Sequence, residues 1–196
     1  MLAAFIICLM FICYVYLGYP FLLWLLSRNI EKSYPEKQYQ GDISIVMVVC
    51  NEEKHIADKI ENIKQLHYSG GRLNIIIVDD CSDDDTVNLV LSSDLNCRLI
   101  RSDKRLGKAH GINLAMTEVT TELVLFIDCR QQLDLYIIEH LSSWFADNPT
   151  IGAISGELMF KVAKGNDFSA AMDGYWRYEK FIRKSEALLA SVPGVT

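Results

Sequence analysis

The chain has 196 residues, 51% of them apolar, and a formal net charge of −6, with a pI near 5.2. That length and composition allow a domain with a real core and exclude a disordered tail. The acidic balance, without a Lys/Arg cluster on a periodic face, speaks against nucleic acid as a partner. The cysteines follow neither C-x-x-C nor Cys/His ligand spacing, which speaks against both a disulfide framework and a zinc site.

Leu2 to Leu26 contains no Asp, Glu, Lys, Arg or His. As a helix those residues span roughly 37 Å, more than the ~30 Å of a hydrocarbon core. No basic region precedes the run and no small-x-small cleavage site follows it, so it reads as a transmembrane anchor over residues 1–27 and not as a signal peptide. Arg28, Lys32 and Lys37 follow it, and the positive-inside rule then predicts a single-pass anchor with everything beyond Arg28 in the cytoplasm. Residues 28–42, polar and carrying Pro35 and Gly41, read as a linker. From Ile43 onward β-branched runs alternate with helical patterns. Strands are predicted at Ile43 to Val49, Leu73 to Val78, Cys97 to Ile100 and Leu123 to Ile127, with helices near Glu53 to Leu66, Asp84 to Ser92 and Lys108 to Thr117 between them. A helix at Asp134 to Asp147, a further strand at Ile151 to Phe160 and an aromatic helix at Ala170 to Ala190 follow. The fold class is α/β, a mostly parallel sheet with flanking helices.

Chemistry-bearing residues gather where these strands end, the edge at which open α/β sheets bind ligands. Asp79 and Asp80 close the second strand, and Asp128 closes the fourth. The acids at 83 to 85 are explained by the helix that follows, with Ser82 or Asp83 as N-cap and negative charge in the first turn. Capping does not require the Asp79–Asp80 pair, which reads as functional. Arg105-Leu106-Gly107-Lys108 is a glycine turn with two cations opening a helix, a seat for phosphate. Asn51 and Glu52, after the first strand, are candidate nucleotide contacts, whereas Glu53 reads as a first-turn acid. The histidines show no metal spacing, and the absence of G-x-G-x-x-G excludes a Rossmann dehydrogenase. A receiver domain fails because it needs a Lys at a later strand end.

Ile45-Val46-Met47-Val48-Val49-Cys50-Asn51-Glu52-Glu53, Ile77 to Thr86, Leu106-Gly107-Lys108-Ala109 and Phe126-Ile127-Asp128 together resemble the family 2 glycosyltransferases, over about Ile43 to Gly156. Tyr175-Trp176-Arg177-Tyr178-Glu179-Lys180 resembles membrane-bound members that make surface polysaccharides or glycolipids. The resemblance implies a GT-A fold over residues 43–196 and a nucleotide-sugar site of Asn51, Glu52, Asp79, Asp80, Lys108 and Asp128, to which Arg130 is added as a cation expected to pair with the diphosphate and partly replace the metal. In that reading Asp80 holds uracil, Lys108 lies near the nucleotide, and Asp128 lies near the ribose and a divalent cation, Mg2+ or Mn2+. It further implies inverting transfer of a sugar from a nucleotide-diphosphate donor, a UDP-sugar, to a polysaccharide or glycolipid acceptor.

Two departures qualify that expectation. The family's metal motif is commonly Asp-x-Asp, and Arg130 stands at its third position. The family's catalytic base lies downstream of the matched region, and the sequence ends at Thr196 before such a segment. The chain is therefore expected to carry the donor-binding half, with little transferase activity unless a complementing C-terminal part or subunit is present. The alternative is a non-catalytic, membrane-anchored nucleotide-binding remnant or partner subunit.

Overall fold

The computed structural model describes residues 1–30, 34–156 and 167–189, with side chains from 174 onward in the last stretch. They divide into two compact units, Pro35–Gly152 and a second one composed of Met1–Tyr34 with Ala153–Thr196.

The first unit is built on four parallel strands, β1 (Ile43–Val49), β2 (Leu73–Asp79), β3 (Cys97–Arg101) and β4 (Leu123–Ile127), in the spatial order β3-β2-β1-β4. Helices α3 (Ile56–Lys64), α4 (Thr86–Ser92), α5 (Lys108–Met116) and α6 (Ile137–Asp147) connect and cover them. Side chains alternate across a strand with period two, and the core divides accordingly. Ile43, Ile45, Met47 and Val49 of β1 pack on one face with Ile77, Ile127, Ile56, Ile60 and Ile63 of α3, Val90 of α4 and Ile138 of α6. Val46, Ile76 and Val78 face the other way, against Ala115 of α5. A parallel sheet covered on both faces favours apolar side chains at nearly every position of its central strand, which is why β1 is apolar throughout except at Ser44. Ser44, buried within it, is satisfied by Thr121, whose hydroxyl accepts from the Ser44 N–H at 3.1 Å and donates to its Oγ at 2.8 Å.

Register fixes which residues share an edge. Val49 lies opposite Asp79, and Asp79 opposite Arg101. Met47 lies opposite Ile127, so β4 ends two residues short of the end of β1 and Asp128 follows directly. Helix α5 approaches the sheet closely, because a Cβ on Gly111 would lie 2.6 Å from Val48 Cγ1.

The four strands predicted between Ile43 and Ile127 agree with the observed ones to within one residue at each end; α5 begins at Lys108 as predicted, while α3, α4 and α6 begin two or three residues late. Helix α3 starts at Ile56 and not near Glu53, because Asn51 adopts φ 55° and turns the chain before it can wind. Helix α6 starts at Ile137 and not at Asp134, whose carboxylate accepts the Tyr136 N–H at 2.9 Å in a local turn that competes with helix. The strand expected at Ile151 to Phe160 is not formed over Ile151–Gly156, where two glycines weaken the extended pattern, and 157–160 lie outside the described residues.

In the second unit a helix runs over Leu2–Ser27 with mean hydropathy 2.3, long and apolar enough to cross a membrane. It consists of α1 (Leu2–Cys13), a π-helical segment (Tyr14–Gly18) and α2 (Tyr19–Ser27). The widened turn falls just before Pro20, which has no N–H and crowds the preceding turn. The last helix, α7, covers Asp167–Leu189. Its Tyr178 hydroxyl donates to the Tyr16 carbonyl at 2.9 Å, supplying a donor in the region where proline removes one, and Tyr19 donates to Glu186. Pro20, Leu23 and Ser27, at helical spacing, form the buried stripe of α2.

Candidate functional site

The loops after β1 and β2 are laced together. Asn51, left-handed at φ 55°, donates its N–H to Ser82 Oγ at 2.9 Å and accepts the Asp83 N–H on its side-chain oxygen at 3.0 Å. Asparagine tolerates this backbone region better than most residues. Glu52 N–H donates to Thr86 Oγ1 at 2.8 Å, and Glu53 N–H to Asp84 Oδ2 at 3.1 Å. The acidic run is consequently not a free anionic patch. Ser82 and Asp83, expected to cap the next helix, are engaged with Asn51, and Asp85 occupies the N-cap position of α4. Asp84 does the satisfying, accepting from both the N–H (3.0 Å) and the hydroxyl (2.5 Å) of Thr86. Burial opposes its ionisation, but the Thr86 and Glu53 donors outweigh it and hold the carboxyl below its ordinary range.

Asp79 and Asp80 separate in role. Asp79 is fully buried; its carboxylate accepts the Ser82 N–H at 3.2 Å and lies 3.8 Å from Arg101 Nε. It sits beneath the edge and shapes the turn above it. Asp80 is 4% exposed and accepts two backbone donors, Leu106 N–H on Oδ1 and Gly107 N–H on Oδ2, each at 2.8 Å. This carboxylate therefore ties the end of β2 to the glycine turn that opens α5. Gly107, at φ 88°, supplies the left-handed conformation the turn requires.

That turn delivers Lys108 to the end of β4. Lys108 Nζ lies 3.2 Å from Asp128 Oδ2, while Asp128 Oδ1 accepts the Arg130 N–H at 3.1 Å. Burial opposes the charge on Asp128, and the Arg130 N–H together with the cations of Lys108 and Arg130 more than offsets this, holding the carboxyl below its ordinary range. Arg130 reaches back to the loop after β1, where its Nε donates to Glu52 Oε1 at 2.9 Å and Oε2 at 3.0 Å. Glu52, Lys108, Asp128 and Arg130, far apart in sequence, form one chain of alternating charge. Asn51 and Asp80 border it, and Asp79 lies below.

The support behind this chain was not singled out in the sequence. Lys59 of α3 is 2% exposed, and its ammonium donates to the Gln131 carbonyl at 2.6 Å. Burial lowers its pKa to about 8, against a smaller opposing pull from Cys129 and Asp128. Asn62, one turn further, grips Leu133 in both directions, donating to its carbonyl at 3.0 Å and accepting its N–H at 2.9 Å. Cys129 is buried, and desolvation pushes its thiol up to about 12. The signal available was position: Lys59 lies three residues after Ile56 and four before Ile63, on the apolar stripe of its helix.

The donor set does not by itself make a divalent-cation centre. Among the described residues there is no cluster of three His, Cys, Asp or Glu side chains that could hold a metal. Asp128 contributes one carboxylate, already shared with Lys108 and the Arg130 N–H.

Four parallel strands carrying this edge, with a glycine turn leading into a helix, define the GT-A type of α/β fold. The chain belongs to glycosyl transferase family 2, whose model matches residues 44–188. It is 33% identical over 117 residues to a teichoic acid poly(glycerol phosphate) polymerase of Staphylococcus epidermidis, a match covering 58% of this chain and 16% of that protein. It is 26% identical over 88 residues to the poly(ribitol-phosphate) β-N-acetylglucosaminyltransferase TarS of Staphylococcus aureus, covering 43% of this chain and 15% of TarS. Among solved structures, a mannosyltransferase of Pyrobaculum calidifontis in complex with GDP-Man and Mn2+ superimposes with a TM-score of 0.64 at 27% identity, covering 74% of this chain and 45% of that one. TarS in complex with UDP shares the fold, with a TM-score of 0.51 at 20% identity over 62% of this chain and 40% of that structure.

Proposed function

We propose that this chain carries the donor half of an inverting glycosyltransferase, binding a nucleotide-diphosphate sugar, a UDP-sugar, at the edge formed by Asn51, Glu52, Asp80, Lys108, Asp128 and Arg130, for transfer to a polysaccharide or glycolipid acceptor. The observation that carries this reading is the convergence of two cations, Lys108 and Arg130, on the strand ends of a family 2 domain. A nucleoside diphosphate gains negative charge as its oxygen takes the electron pair of the bond to the anomeric carbon, which the acceptor oxygen then holds, and preorganised cations stabilise that charge. Arg130 is fixed through Nε by Glu52, and its guanidinium is well shaped to receive phosphate oxygens. Lys108 supplies a second positive charge from the start of α5. Asp80 acts on the nucleotide side, through the turn it holds and through the lone pairs it has left for a base N–H. Asp79 serves by holding the turn over which the nucleotide lies.

Two cations at the place of the Asp-x-Asp motif give this chain a route to diphosphate neutralisation through its own side chains, and Asp128 is the residue that a Mg2+ or Mn2+ ion brought in with the donor would find. The Leu2–Ser27 helix supports attachment to a membrane, with the globular part on the cytoplasmic side. Titration of the full chain in detergent with UDP and with GDP, with and without EDTA, tests the reading. Saturable UDP binding retained in EDTA and weakened by Arg130→Ala is expected. No binding of either nucleotide, or binding abolished by EDTA and untouched by Arg130→Ala, overturns it.

A further inference from the structure

We propose that Lys59 is a positioning residue of the diphosphate site: from the buried face of α3 its ammonium holds the Gln131 carbonyl and so fixes the segment that presents Asp128 and Arg130. The inference rests on the reading of that site given above. A lysine is a costly occupant of this position. Its neighbours on the stripe, Ile56, Ile60 and Ile63, are all buried, and an apolar side chain would fill the space without removing a charge from water. What the ammonium does there is make a short, charge-assisted hydrogen bond to Gln131 O at 2.6 Å.

The bond falls where control of the backbone has most effect. Asp128 leaves β4, its carboxylate turns back to the Arg130 N–H at 3.1 Å, and Gln131 follows Arg130 directly. Asn62 secures the far end through both backbone groups of Leu133. Two side chains of one rigid helix thus clamp residues 131 and 133, while the arginine between the clamp and Asp128 stays at the surface, paired with Glu52. A loop crossing the end of a strand would otherwise sample several paths, and a guanidinium displaced by an ångström loses most of its value to a bound diphosphate. Lys59 touches no ligand; its effect passes through Gln131 to Arg130.

The test is a coupling measurement on the full chain in detergent, read by calorimetric titration with UDP. Lys59→Met, unbranched and one bond shorter than lysine and lacking the donor, is expected to bind UDP about tenfold more weakly, the scale of one charge-assisted hydrogen bond. Lys59→Gln, with a neutral donor one bond shorter, is expected to recover part of the loss and serves in its place where Lys59→Met fails to fold. In an Arg130→Ala background the same substitution should cost less than about twofold, because the group it positions is gone. Hydrogen exchange at the 131–133 amides should rise in Lys59→Met without any nucleotide. Unchanged UDP affinity, or a loss undiminished by Arg130→Ala, overturns the proposal. If the unsubstituted chain binds no UDP, the reading of the site falls by itself, and exchange decides whether Lys59 holds the loop, with unchanged exchange overturning that as well.

Discussion

Replacing Asp80 should separate its bracing of the glycine turn from any role as an exposed recognition group. Its carboxylate accepts two backbone N–H bonds at 2.8 Å while only 4% exposed. Hydrogen bonds to a charged group contribute about 1.5–3 kcal/mol each. Leu106 is 54% exposed, so its freed N–H regains water and the loss falls in the lower part of that range. Asp80→Ala should therefore cost about 2–4 kcal/mol, which for a domain of this size lowers Tm by roughly 10 °C. Asp80→Asn keeps one acceptor but turns an amide N–H toward a backbone N–H, and should lose about 1–3 kcal/mol. Both should weaken UDP binding, since Gly107 no longer delivers Lys108 to Asp128. Thermal denaturation followed by circular dichroism, with UDP titration on the same preparations, reads both effects. An Asp80→Ala protein melting with the unsubstituted chain would refute the argument that this carboxylate ties β2 to α5.

Other expectations follow from the same geometry. Arg130→Ala should lower Tm by about 5 °C, because Glu52, whose side chain is 14% exposed, is left without its partner at a cost of about 1–2 kcal/mol, and should weaken UDP binding by about tenfold or more; equal affinity in a titration would remove Arg130 from the site. Gly111→Ala should destabilise the fold by about 1–3 kcal/mol through overpacking against Val48, read as a lower urea midpoint. Stability should also rise with pH through Lys59. Its folded pKa of about 8 lies below the ordinary lysine value of 10.5, so between these values the unfolded chain holds the extra proton and folding gains as pH increases. The gain approaches about 3 kcal/mol above pH 10.5 and disappears as pH falls through 8. Cys129, its thiol pushed up to about 12, loses stability over the upper part of the same window in either protein, so denaturant unfolding reads the Lys59 contribution as a stability difference between the unsubstituted chain and Lys59→Met that grows from pH 8 to pH 10.5.

What could be read from the sequence depended on whether the cause was local. The strands were legible because a sheet covered on both faces demands nearly continuous apolar runs, and Ile43–Val49, interrupted only by Ser44, and Leu123–Ile127 meet that demand unaided. The start of α5 at Lys108 was legible from its glycine turn, but that of α3 was not, because Asn51 sets it through partners elsewhere in the chain, Ser82 and Asp83; that of α6 was missed although its cause, the Asp134–Tyr136 turn, is local. The site showed a similar division. Asp80, Lys108 and Asp128 were visible as strand-end and turn residues, and the structure brings Lys108 and Asp128 together. The pairing of Glu52 with Arg130 spans 78 positions, and no local pattern encodes it. Lys59 was legible in principle, as a charge on an apolar stripe, but its purpose required the position of Gln131.

On the proposed reading, the charge arrangement at the edge would let an acidic protein offer a phosphate a seat. Asp79 and Asp84 are satisfied by backbone donors within the fold, and Asp80 by the glycine turn, so these carboxylates repel an incoming anion less than their number suggests. The cations are held differently. Lys108 is paired with Asp128, and the side chains are 58% and 42% exposed; Arg130, 65% exposed, is paired with Glu52, which is 14% exposed. The Lys108 pair is worth little to stability and exchanges partners readily, whereas Glu52 anchors Arg130 more firmly. A diphosphate can therefore take the free face of Arg130 while Glu52 keeps its hold on Nε, and can draw Lys108 from Asp128 at small cost. Asp128 then regains a free oxygen as the nucleotide arrives, the moment at which a ribose hydroxyl or an accompanying cation would require it. Lys108→Ala should accordingly weaken UDP by about tenfold yet leave uridine, which has no phosphate, within a factor of about two. Equal losses for both ligands in parallel titrations would mean that Lys108 shapes the pocket and does not meet the phosphates.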